Sequence, residues 1–181
     1  MSHTSDHVIS FEKILLPGIP DPIKELYLNS FPPEERRTLD GLEKQLYEPG
    51  CSVNSVWISD IPAGLVVYWD FEDFLFVEHL AVQPHLRGQK TGEKIMNQIT
   101  AGIDKPVLLE IEPPKDELSK RRMNFYLRLG FQLLDVEYLQ PSYTGHGPGY
   151  PMKLMANNAI DDKDLRRFIA EIYNRVYKVN Q

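Results

Sequence analysis

Residues Phe74 to Val82 form a nearly continuous apolar run, broken only by Glu78 and His79. A run of this kind suits a strand covered on both faces in the middle of a sheet. The chain must therefore supply a layer on each side of it. The next segment narrows the fold further. Gln83 to Gly92 is polar and carries Gly88 and Gly92 beside Arg87 and Lys90, and Ile95, Met96 and Ile99 then recur at helical spacing. A strand feeding a glycine-bearing loop and a helix aims unpaired amides and a partial positive charge at whatever sits before the helix. The combination suits an anion such as a pyrophosphate, and the glycines let backbone approach it closely. Alone, the loop is a weak signal, because such units are common.

The remaining elements build around that strand. His7 to Leu16 reads as a first strand, and Asp21 to Ser30 and Pro33 to Tyr47 as two helices with prolines in their first turns. Val53 to Ser59 and Gly64 to Trp69 are β-branched and aromatic runs joined by a hairpin over residues 60–63. Val107 to Ile111 is a short apolar strand, and Asp116 to Leu129 a helix stopped by Gly130. Phe131 to Leu139 and Tyr150 to Met155 are late strands flanking a Gly- and Pro-rich loop, and Asp161 to Tyr177 is an amphipathic terminal helix. This order predicts an α/β or α+β domain with one mixed sheet.

Composition limits the function classes. The 181 residues suit one domain able to bury its own core. The net charge of −6 and the lack of a basic patch argue against nucleic acid, while an acidic balance can steer a cationic substrate. No basic segment leads into an apolar run at the N-terminus, and no stretch reaches the roughly 20 apolar residues of a membrane span. Cys51 is the single cysteine, so no internal disulfide forms. It reads as a structural thiol, compatible with a cytoplasmic location. The loop lacks the Gly-Lys-Ser/Thr ending of a nucleotide hydrolase.

Residues 77 to 92, Val-Glu-His-Leu-Ala-Val-Gln-Pro-His-Leu-Arg-Gly-Gln-Lys-Thr-Gly, resemble the acetyl-CoA-binding motif of the GNAT (Gcn5-related N-acetyltransferase) superfamily. Asn124 to Phe131, Asn-Phe-Tyr-Leu-Arg-Leu-Gly-Phe, resemble its second signature, and the two occur in family order. The resemblance covers residues 7 to 155. It implies a central mixed, largely antiparallel twisted sheet of about seven strands flanked by helices. Residues 1–156 would form the domain and 157–181 a C-terminal helical extension packed on it or forming a homodimer contact. Lys90 departs from the pattern: it stands where the family has the middle glycine of the loop.

The resemblance further implies an N-acetyltransferase that moves the acetyl group of acetyl-CoA, its co-substrate, to a primary amine by direct attack in a ternary complex. No metal is called for. A non-catalytic acyl-CoA-binding module on the same fold is the alternative. Backbone at Leu80, Ala81 and Val82 would meet the pantetheine arm, and Arg87, Gly88, Gln89, Lys90, Thr91 and Gly92 the pyrophosphate, with Asn124 a further cofactor contact. Tyr126 falls on the family tyrosine that protonates the departing thiolate, where a buried hydroxyl lowers the barrier. Glu78, a lone carboxylate in an apolar strand, is the first candidate base, since burial raises a carboxyl pKa toward a useful range. Glu110 and Glu112 are alternatives on the neighbouring strand. His79 is expected on the opposite face from Glu78, because side chains alternate along a strand. Glu34, Glu35, Tyr143 and His146 are candidate substrate contacts.

Overall fold

The computed structural model describes residues 9–15, 18–145 and 147–179, so His146 lies outside the described residues. The elements are β1 (Ile9–Lys13), α1 (Asp21–Ser30), α2 (Leu39–Lys44), β2 (Cys51–Ile58), β3 (Ile61–Asp70), β4 (Leu75–Val82), α3 (Thr91–Thr100), β5 (Val107–Ile111), α4 (Glu117–Arg128), β6 (Gln132–Leu133), β7 (Tyr138–Gln140), β8 (Tyr150–Ala156) and α5 (Asp162–Glu171). The strands form one sheet in the order β1-β2-β3-β4-β5-β8-β6, with β7 also on β8. Every pairing is antiparallel except β4 with β5. That pair is parallel because α3 carries the chain from the end of one strand to the start of the next.

Both faces are covered, as the apolar run in β4 requires. On one face Ile23, Leu26 and Tyr27 of α1, Leu42 of α2, and Leu165 and Phe168 of α5 pack with Phe74, Phe76 and Leu108. Phe71, Phe74 and Phe168 stack at centroid separations of 4.2 and 4.3 Å, which ties the terminal helix into this core. On the other face Ile95, Met96 and Ile99 of α3 and Tyr126 of α4 pack with Val66, Val77, Leu109 and Met155.

Two expected elements break up. The helix expected over residues 33–47 is a 3₁₀ turn at Pro33–Glu35, the short α2, and a second 3₁₀ turn at Gln45–Tyr47. Arg36 is extended, and the Thr38 side chain accepts from the Gly41 N–H to start a new helix, a local competitor for backbone bonds that ends one helix and caps the next. The strand expected over 131–139 divides into β6 and β7, both on β8, so the sheet has eight strands. α4 begins as read from sequence: Asp116 and Ser119 form a reciprocal capping box. The terminal helix ends in a π-helical turn, Ile172–Val176.

Candidate active site

Three registered pairs, Leu75↔Val107, Phe76↔Leu108 and Val77↔Leu109, hold β4 to β5. Beyond them the strands part. β4 continues to Val82 paired only with β3, while β5 stays with β8 through Glu110↔Leu154 and Ile111↔Lys153. A wedge opens between them, and the β5-side edge of Leu80, Ala81 and Val82 lines it without a ladder partner. The wedge joins the two layers of the molecule, because Ala81 packs toward α1 and Leu80 and Val82 pack toward α3.

At its wide end the chain turns through Pro84–Leu86 into the exposed loop before α3. Gly88 and Lys90 are both left-handed, at φ 76° and 62°. A β-carbon on Gly88 would meet nothing within 4 Å, so its glycine answers the backbone conformation. Lys90, as the residue preceding α3, holds the same kind of conformation at a cost of about 1–2 kcal/mol. That cost is the physical content of its departure from a glycine. Helical bonding starts with Lys94 N–H to Lys90 C=O, which leaves the amides of Thr91, Gly92 and Glu93 outside the ladder. Several loop side chains are occupied internally: Arg87 Nε donates to the Val82 carbonyl at 3.0 Å, Gln89 to the His85 carbonyl at 2.8 Å, and Thr91 to the Leu86 carbonyl at 3.1 Å. They shape the loop and leave the amides at the start of α3 as its remaining donors. Gly92 has a packing reason: a β-carbon there would lie 3.2 Å from Phe125 Cζ and 3.7 Å from Val82 Cγ2. This close approach lets α3 lean on α4.

Tyr126 follows Phe125 on α4, its ring 4.9 Å from Phe125 and 5.8 Å from Phe131. Burial pushes its hydroxyl up to about 12, so it remains a protonated donor at neutral pH. Arg122 and Glu112, which pair with each other, both act on it. They also act on Glu35, whose carboxyl is raised first by burial and then by Glu112. Glu35, Glu112, Arg122 and Tyr126 thus share one electrostatic neighbourhood. Glu34 and Asn124 are exposed.

The opposite face of the vertex departs from the expected alternation. The β3–β4 register shifts so that Val67 pairs with His79 and Tyr68 with Val77, and Glu78 is left as the extra residue of a bulge. One extra residue reverses the parity of everything after it. Glu78 and His79 therefore lie on the same side, correcting the expectation that they face apart. The Glu78 side chain is fully buried, and Oε1 receives Arg37 Nε at 2.9 Å while Oε2 receives Trp69 Nε1 at 2.6 Å. His79 donates from Nε2 to the Glu35 carbonyl at 3.2 Å, and its Nδ1 lies 3.7 Å from Glu78. The expected upward shift of Glu78 is overturned as well. Burial alone would raise its pKa, but Arg37, His79 and the bond from Trp69 outweigh that and hold it below the usual carboxylate value. Burial lowers His79 in turn.

Arg37 is the organising cation. It donates to Glu78 and, through Nη2, to the Val176 carbonyl at 2.6 Å, and it lies 4.6 Å from the centroid of the Tyr143 ring. Tyr143 stacks on His79 at 5.9 Å, and its buried hydroxyl has no hydrogen-bond partner among the described residues. It belongs to the same wall as Tyr27 and Phe31, whose rings meet His79 at 5.1 and 4.6 Å. Of the sequence candidates, the fold thus brings Glu78, Glu35 and Tyr143 together around His79. Across the vertex lies Glu110, which receives the Tyr138 hydroxyl on Oε1 and the Tyr177 hydroxyl on Oε2, the latter at 2.8 Å. Arg37, Trp69, Tyr138 and Tyr177 escape sequence reasoning, because each is an ordinary basic or aromatic residue until folding brings it to a carboxylate.

Residues 53–133 match the family model described as an acetyltransferase (GNAT) domain. The solved structure of a Bacteroides thetaiotaomicron protein, "Putative acetyltransferase from GNAT family", superposes with a TM-score of 0.84 at 34% identity, covering 94% of this chain and 99% of that one. An Elizabethkingia anophelis GNAT family acetyltransferase, crystallised with acetyl-CoA bound, shares the fold at a TM-score of 0.62 and 14% identity over 85% of this chain and 99% of its own. The Bacillus subtilis protein "Putative acetyltransferase YjbC" is 34% identical over 70 residues, 38% of this chain, and the match spans only 36% of that curated relative's length. With one relative matched at this identity along almost its whole length, the chain belongs to the GNAT family of acetyltransferases.

Proposed function

We propose that this protein transfers the acetyl group of acetyl-CoA to a primary amine of a small molecule or a protein, by direct attack in a ternary complex. The observation that carries this reading is the β4–β5 wedge, which opens at one end onto the amides at the start of α3 and at its vertex onto a buried polar cluster. The amides of Thr91, Gly92 and Glu93 would hold the pyrophosphate, with the charges of Arg87 and Lys90 nearby, and the unpaired edge of Leu80 to Val82 would bond the pantetheine amides as an added strand. The acetyl group then lies near the vertex. The acceptor would enter from the α1 side, between Glu34, Glu35 and the loop bearing Tyr143.

The amine nitrogen attacks the thioester carbonyl. A C–N bond forms, the C–S bond breaks, and its electron pair leaves on sulfur. Tyr126 would protonate that sulfur, its hydroxyl being in the donor form at neutral pH. An amine arriving as ammonium loses one proton before attack and a second as the amide forms; one of the two restores the Tyr126 hydroxyl, and net one proton leaves to solvent.

The left-handed Lys90 favours a second reading, a module that binds acyl-CoA without turnover. Thiol release from acetyl-CoA with a panel of amines (spermidine, tyramine and a peptide with a free N-terminus) separates the two. Release with at least one amine is expected. Measurable coenzyme A binding without release for any amine would establish the silent module.

A further inference from the structure

We propose that Glu110 is the group that takes the proton from the acceptor amine, and that Glu78, facing it across the vertex, is a fixed anion that positions Arg37. The inference rests on the acetyl-transfer reading above. It begins with register. Val77↔Leu109 is the last parallel pair, so Glu78 and Glu110 are the first residue on each strand past the point where the strands part. Their predecessors by two, Phe76 and Leu108, share one core cluster, and the partners of both carboxylates lie on that same face: Arg37 and Trp69 for one, Tyr138 and Tyr177 for the other. Two carboxylates thus flank the place where the acetyl group and the amine would meet.

Their surroundings give them different chemistry. Glu78 has no exposed side-chain surface, and its oxygens are taken by a guanidinium and an indole N–H. It stays ionised and has no opening toward a substrate. Glu110, like Glu78 half-buried as a whole residue, is met by neutral phenols and, among the described residues, has no cation bonded to it. Burial raises its pKa to about 7; the bonds from Tyr138 and Tyr177 oppose the rise, and the charges of Glu78 on β4 and Glu35 after α1 add to it. Tyr143, from the β7–β8 loop, also lies within its field. A pair of carboxylates whose environments push them apart in this way assigns the titrating role to the raised one. The phenols complete the arrangement: Gln140 Nε2 donates to the Tyr177 hydroxyl at 3.0 Å, and that hydroxyl donates to Glu110. This chain fixes the carboxylate's orientation while leaving each oxygen a second lone pair.

In the proposed step the N–H bond of the ammonium breaks and its proton passes to a Glu110 oxygen, leaving the nitrogen's electron pair free to attack. The test is thiol release from acetyl-CoA over pH 5.5–9 with the amine that the panel identifies. In the unaltered protein kcat/KM should rise with pH through an apparent pKa near 7. E110Q should lose that limb and about 100-fold in kcat, with coenzyme A affinity by calorimetry and the melting profile preserved. Tyr177→Phe removes a donor to the carboxylate, so its limb should move to higher pH, a change that loss of packing alone would not produce. Should E110Q fail to fold, carbon-13 NMR of the carboxyl-labelled native protein decides: a glutamate titrating near pH 7 that moves in Tyr177→Phe supports the assignment, and its absence overturns it. Turnover and limb unchanged in E110Q, or a limb lost in Glu78→Gln instead, overturn this inference alone. A native protein that releases no thiol with any amine overturns the acetyl-transfer reading and this inference with it.

Discussion

Glu78→Gln separates an anchoring carboxylate from a base. The substitution keeps the shape but removes the charge, leaving Arg37 in a site where its side chain is 10% exposed. Removing one partner of a buried ion pair costs about 3–5 kcal/mol. Arg37 keeps the Val176 carbonyl and the Tyr143 ring, so the low end, about 3 kcal/mol, applies. For a chain of this length each kcal/mol moves Tm by about 2–4 °C, and the expected loss is about 6–12 °C. The sign with pH is set by the depressed pKa. Its contribution is complete above the ordinary carboxyl value of 4.5 and is lost only as pH falls through the lower folded value. The difference in Tm between native and variant should therefore be flat from pH 8 to pH 5.5 in thermal melts monitored by circular dichroism. A difference below 2 °C, or one that disappears between pH 8 and pH 6, would refute the anchoring role and return Glu78 to the position of a titrating base.

Tyr126→Phe should lower kcat by about 100-fold while the coenzyme A dissociation constant stays within about threefold; unaltered turnover would end its role as the acid. Lys90→Gly relieves a left-handed side chain but loosens the unfolded chain, so stability should change by less than about 1 kcal/mol. Coenzyme A affinity should hold or improve, and a tenfold loss by calorimetry would make the lysine a phosphate ligand. Gly92→Ala brings a methyl to 3.2 Å from Phe125 and should cost about 1 kcal/mol net of its better helix propensity. A variant melting at or above the native temperature would show that the α3–α4 approach has slack.

Much of the architecture arises from local patterns. The apolar run of β4, the glycines around Arg87 and the stop at Gly130 each act within a few residues of themselves, so the order of the main elements and the glycine-bearing loop before α3 were legible directly. The largest departure from local pattern is the helix expected through residues 33–47. It breaks where Thr38 recaps the chain, a competition between side-chain and backbone bonding that residue pattern alone does not resolve.

The vertex was decided by tertiary structure. One residue inserted into β4 opposite β3 reversed the side-chain parity and set Glu78 beside His79, and sequence alternation carries no mark of it. Arg37 reaches Glu78 from 41 positions away, and Tyr138 and Tyr177 reach Glu110 from 28 and 67. A carboxylate's proton affinity depends on which charges and donors surround it, and those neighbours are brought there by the segment before α2, by β7 and by the chain that follows α5. Sequence therefore sufficed to place a glycine-bearing loop before α3 and carboxylates on adjacent strands. Which carboxylate stays charged and which can exchange a proton depended on the folded arrangement.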